Sequence, residues 1–158
     1  MVDTINELSS LSRKLNQKSD KTNSIITTIN KKLADLNLGL EVWLENWEIE
    51  SDDYSKVYAG QISPLPRQKS VTYLGYCNVE DGWQLAAKTG MLIEAWDKDS
   101  EETFTELTEV DYRSLLKAAR EIRVGALPLV PRLLDQIKYR AESLLKAIDE
   151  AEKAAEKL

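Results

Sequence analysis

Histidine does not occur in this chain, and Cys77 is its one cysteine. These two shortages exclude a histidine-based catalytic triad, a Cys/His zinc site and any disulfide within the chain. Long hydrophobic runs are missing as well: no stretch approaches the roughly 18 to 20 residues that span a bilayer. The amino terminus, 1–15, is polar and helix-patterned and lacks the basic-then-apolar order of a signal segment. A lone thiol fits a reducing compartment. The expectation is therefore a cytoplasmic protein that does not enter the membrane.

The 158 residues are 42% apolar and 30% charged, an ordinary globular balance and the size of a single domain. The net charge of −6 is unevenly distributed. Residues 1–38 and 111–158 each carry +2, whereas 39–110 carry −10, all four tryptophans and most of the turn signals. An acidic chain does not neutralise phosphates, so no nucleic-acid partner is expected. Arg13, Lys14, Lys18, Lys21, Lys31 and Lys32 make a basic stripe in the first segment. No zinc finger, aromatic RNA motif or glycine-rich loop accompanies it, and it reads as a solvated face.

Residues 1–38 read as one long helix, with Leu8, Leu15, Thr22, Ile29 and Leu36 recurring every seven positions beside Ile5, Ile26 and Leu33. The polar stretch Asn16–Ser24 leaves two possibilities, a weakly anchored middle or a break into two helices. Gly39 is the natural stop. Residues 40–97 read as a four- to five-stranded antiparallel meander. Its first strand places Trp43, Trp47 and Ile49 on one face and Val42 and Leu44 on the other. The next runs over Lys56–Gly60, with Pro64 and Pro66 marking a loop. Val71–Val79 and Trp83–Ala87 flank an Asp-Gly hairpin signal, and Thr89-Gly90 suggests a further turn into Met91–Trp96. Tyr73 and Tyr76 alternate, which predicts one of them in solvent.

Thr108 followed by Asp111 resembles a capping box, and with the apolar stripe Leu115, Leu116, Ala119 and Ile122 it predicts a helix over 108–126. Gly125 and Pro128 end or bend that helix. A final helix, 128–157, carries a heptad seam of Val130, Leu134, Ile137, Ala141, Leu144 and Ile148. The whole is α+β, one domain over 1–158. Each terminal helix would be about 45 Å long, whereas strands reach about 17 to 20 Å. Such helices outrun any small sheet, so their seams need another helix. Packing of the two terminal helices on each other is expected, with self-association through the surface left over; a monomer whose tail frays after Ile148 is the competing reading.

Sites are few. The acidic run 97–102 fails as a calcium loop, because Glu102 and Thr108 stand where a glycine and a bidentate acid are needed. Glu41, Glu45, Glu48, Glu50, Asp52 and Asp53 make the first hairpin strongly negative, which suits an edge protected from pairing or a basic partner. Trp43, Trp47, Trp83 and Trp96 could line a ligand cradle but read as core. Cys77 reads as a small buried hydrophobe. Arg120, Arg123 and Arg132 flank the junction 125–131, where a helix start would add free amides for a small anionic ligand.

The expected function is a non-enzymatic interaction protein, adaptor or chaperone-like, forming a homo-oligomer through its terminal helices or binding another protein. The alternative is an anion-binding protein using the three arginines. No catalytic constellation, cofactor or metal is expected.

Overall fold

The computed structural model of the chain describes residues 1–52, 55–56 and 67–158. Helix α1 (Val2–Leu36) is followed by strands β1 (Val42–Ser51), β2 (Ser55–Lys56), β3 (Arg67–Val79), β4 (Gly82–Asp97) and β5 (Glu102–Ser114). A 3-10 turn (Leu115–Lys117), the short helix α2 (Arg120–Ala126), a second 3-10 turn (Leu127–Leu129) and helix α3 (Val130–Ala155) complete the chain. The protein is α+β. Its four long strands form one antiparallel sheet in the order β1-β3-β4-β5, and β2 also pairs with β3.

α1 is continuous through its polar middle. The hydroxyls of Thr22, Ser24, Thr27 and Thr28 each donate to the carbonyl four residues back, at 2.8 to 3.0 Å, so these polar groups are satisfied inside the helix rather than breaking it. The helix stops before Gly39. Asn37 takes the left-handed conformation at φ 49° and its N–H donates to the Ala34 carbonyl, as asparagine can in place of glycine.

The sheet corrects the sequence reading at four places. Residues 102–114 are strand, not the start of a helix over 108–126. They pair with β4 from Asp97↔Glu102 to Ala86↔Ser114, and Thr103, Phe104, Thr105, Thr108, Val110 and Tyr112 are strand-favouring residues that outweigh a capping-like spacing. Only the seven residues of α2 are helical there. Thr89-Gly90 is not a turn, because β4 runs straight through it. The pairing shifts between Thr89 and Met91, with Glu109 opposite at φ 53°. A Cβ on Gly90 would come within 2.9 Å of Leu107 Cδ1 and the Thr108 carbonyl, so the glycine serves a close strand approach at a bulge.

The third correction lies in β1, whose register to β3 shifts between Trp43 and Glu48. The bulge reverses the alternation, so Val42, Leu44, Trp47 and Ile49 all join the core while Trp43 lies with Lys88, Tyr73 and Tyr112. The fourth concerns the tyrosines: Tyr76 and Tyr73 are both buried, although they point to opposite faces. The Glu80-Asp81 hairpin is observed, with Glu80 at φ 56° and Gly82 at φ 154°. The remainder of the expected second strand, 57–60, Pro64, Pro66 and Asp53 lie outside the described residues.

Three helices cover one face of the sheet. Ile26 and Leu33 of α1, Ile122 and Ala126 of α2, and Val130, Leu133 and Ile137 of α3 meet Val42, Leu44, Leu74, Tyr76 and Leu85. Among the described residues, no helix is long and apolar enough to cross a membrane.

Candidate functional site

The three arginines do not form one anion site. Arg120 Nη2 donates to Asn16 Oδ1 at 3.0 Å. Arg123 donates to the Ala118 carbonyl and, through Nη2, to Ser19 Oγ at 3.3 Å. Arg132 lies over the Trp47 ring, 4.8 Å from its centroid. Two of them therefore fasten α2 to α1, and the third stacks on β1. Asn16 and Ser19 belong to the polar interruption of α1, which now has a role: it receives the guanidinium groups of a helix 104 residues downstream.

The tryptophans do not gather into a cradle either. Trp83 packs near Tyr76 at 5.6 Å, Trp47 beneath Arg132, and Trp96 is half exposed towards the far end of the β4–β5 ribbon. Trp43 is the centre of a second, smaller cluster. Its ring lies over Gly75 and 5.5 Å from Tyr112, with Lys88 Nζ 4.7 Å above it. Lys88 is buried and reaches Glu45 Oε1 at 2.7 Å, so the cation is held by a carboxylate and two rings. Cys77 is buried in the sheet, and burial, followed by the charge of Glu41, pushes its thiol up to about 11. A thiol raised this far is almost wholly protonated at neutral pH.

The acidic first hairpin divides among separate duties. Glu41 accepts from Trp43 Nε1 at 2.8 Å, Glu45 holds Lys88, and Glu48 pairs with Lys69 at 3.1 Å. Glu50 and Asp52 line a cavity of about 410 Å³ with Glu109, Asp111 and Arg113, where the sheet extends beyond Ala118 and Ile122. Thr72 and Thr89 at its floor bond to each other at 3.2 Å, and Asp111 holds Arg113 at 3.0 Å. No thiol or imidazole lines it among the described residues, and no group of three His, Cys, Asp or Glu side chains is placed to hold a metal.

The largest unsatisfied feature is on the terminal helices. Leu8 and Leu15 lie on the face of α1 that bears Ile26 and Leu33, because these positions are separated by close to whole numbers of 3.6-residue turns. Ile26 and Leu33 are buried under the sheet, whereas Leu8 is 58% and Leu15 52% exposed, and every residue of 1–18 is exposed. α1 overhangs its platform. α3 repeats the arrangement: Val130, Leu133 and Ile137 are buried, and on the same face Leu144 is 47% and Ile148 44% exposed.

The seam read from the sequence divides between core and surface. Val130 and Ile137 dock and Ala141 is half-buried, Leu134 lies off the core-facing stripe and is exposed, and Leu144 and Ile148 keep the phase of the docked residues but stay exposed. Leu133, which a strict heptad misses, takes the core position instead of Leu134, because a straight helix follows a 3.6-residue rather than a 3.5-residue period. The expected packing of α1 against α3 is not formed. α1 lies on β4, α2 and the Leu115–Lys117 turn, and α3 on β1, β3 and the Leu127–Leu129 turn. No protein-family model, curated protein or solved structure matches this chain.

Proposed function

We propose that this chain is a non-enzymatic interaction protein, adaptor or chaperone-like in kind, that associates with itself through its terminal helices. The observation carrying this reading is the continuation of each core-facing stripe beyond the sheet, above all Ile5, Leu8, Leu11 and Leu15 on α1. Isolated surface leucines need no explanation, but a row of them in phase with a buried face does. Full burial of one such side chain contributes roughly 1.5 to 3 kcal/mol, and half-exposed ones recover about half of that when covered. A second copy supplies a matching stripe, and isologous pairing is the commonest way to use one.

Light scattering tests this directly. The expected species has about twice the 17.9 kDa chain mass, and a Leu8→Glu/Leu144→Glu double variant runs as a folded monomer by circular dichroism. Both positions are solvent-exposed within one chain, so the variant's fold stays intact. A wild-type protein that is monomeric at millimolar concentration overturns the proposal.

A further inference from the structure

The charges beside the α1 stripe carry more information than its apolar residues. Asp3, Glu7, Lys14 and Lys18 follow one another at spacings of four, seven and four, which keeps all four on one flank of the helix. All are exposed, and none has an ion-pair partner among the described residues. Within one helix the order is unfavourable, since Asp3–Glu7 and Lys14–Lys18 are like charges four apart. The opposite flank carries the uncharged Val2, Ser9 and Asn16, with Arg13 as its one charge over residues 2–16.

The order acid, acid, base, base is symmetric about a point between Ser10 and Leu11. In an antiparallel pair of identical helices the same flank meets itself, and residues equidistant from the centre become neighbours. Asp3 then faces Lys18 of the second copy and Glu7 faces its Lys14, twice over by symmetry. The same centre sets Leu8 and Leu11 together at mid-seam and brings Ile5 near Leu15. In a parallel pair the charged flank would meet the opposite one, where Arg13 is the one charge, and the fourfold set of ion pairs would not form.

From this we infer that the occupant of the α1 overhang is the α1 overhang of a second copy, lying antiparallel across a two-fold axis near Ser10. The inference rests on the self-association proposed above and specifies its geometry. α3 is the lesser candidate because its stripe beyond Ile148 continues as Ala151 and Ala155.

Two charge reversals on the full-length protein provide the test. Asp3→Lys/Glu7→Lys makes the flank wholly basic, and Lys14→Glu/Lys18→Glu makes it wholly acidic. Each variant alone should dimerise about tenfold or more weakly by analytical ultracentrifugation, because four attractive pairs become repulsive. An equal mixture should recover dimers, and native mass spectrometry should show them to be heterodimers. Weakening without recovery in the mixture, or no weakening in either variant, overturns the antiparallel arm pair while leaving self-association standing. A wild-type protein that never dimerises overturns both.

Discussion

Gly75 lies directly beneath the Trp43 ring, and a methyl group there would fall among the ring carbons. Gly75→Ala therefore forces Trp43 out of its place between Tyr112 and Lys88. Overpacking of a tight site costs about 1 to 3 kcal/mol. The ring contact with Tyr112 and the cation–π contact with Lys88 are lost in addition, and each contributes up to about 1 kcal/mol. The expected loss is about 3 kcal/mol, which lowers Tm by about 6 to 12 °C in a chain of this size. Urea unfolding of the dilute protein followed by far-ultraviolet circular dichroism measures it. The same substitution in a Trp43→Ala background should cost less than about 1 kcal/mol, because the clashing ring is gone and the two sites are coupled. A Gly75→Ala protein within about 0.5 kcal/mol of wild type would refute the placement of the ring.

Further outcomes follow from burial and charge. Leu133→Ala removes a fully buried side chain of α3 and should cost about 2 to 5 kcal/mol. Leu144→Ala, on the same helix but half exposed, should change the stability of the dilute protein by less than about 0.5 kcal/mol; equal effects in urea melts would contradict the overhang. Iodoacetamide at pH 8 should modify Cys77 at least about a hundredfold more slowly in the native protein than in urea, given a thiol pushed from 9.0 up to about 11 by burial; comparable rates would count against it. Glu48, hydrogen-bonded by Ser51 and then Lys69, and Glu80, hydrogen-bonded by Lys117, both titrate below the usual glutamate value. A carboxylate that binds its proton less readily when folded adds stability above its unfolded pKa, about 4.3, and loses it as pH falls through the lower folded value. Melting temperature should therefore drop on acidification below that point, and Glu48→Gln/Glu80→Gln should flatten the decline; an unchanged slope would refute the assignment.

Periodicity made α1 and α3 legible, because stripes at helical spacing depend on neighbouring residues alone. The Asp-Gly hairpin was legible for the same reason. What failed depended on partners distant in sequence. Gly90 looks like a turn until Leu107 and Thr108 arrive beside it, and Thr108 with Asp111 looks like a cap until β4 claims the segment as its neighbour. The bulge between Trp43 and Glu48 reverses one strand's phase, and nothing in Val42–Ile49 announces it. Arg120 and Arg123 looked available to an anion because Asn16 and Ser19, their partners, lie at the other end of the chain. The expected strand length was wrong: β4 runs for 16 residues and β3 and β5 for 13 each, so at about 3.3 Å per residue the strands are about as long as the helices. The stripes of α1 and α3 end in solvent although the sheet is not short. The covering of one terminal helix by the other did not follow, since each docks on different strands.

Amide hydrogen exchange across Ile5–Leu15, followed as a function of protein concentration, tests most directly whether the overhang is covered by a second copy. Protection of these amides should be slight in dilute solution and rise with concentration, while that of Ile26–Leu33, already seated on the sheet, stays constant. Exchange across Ile5–Leu15 that is equally fast at every concentration would contradict it.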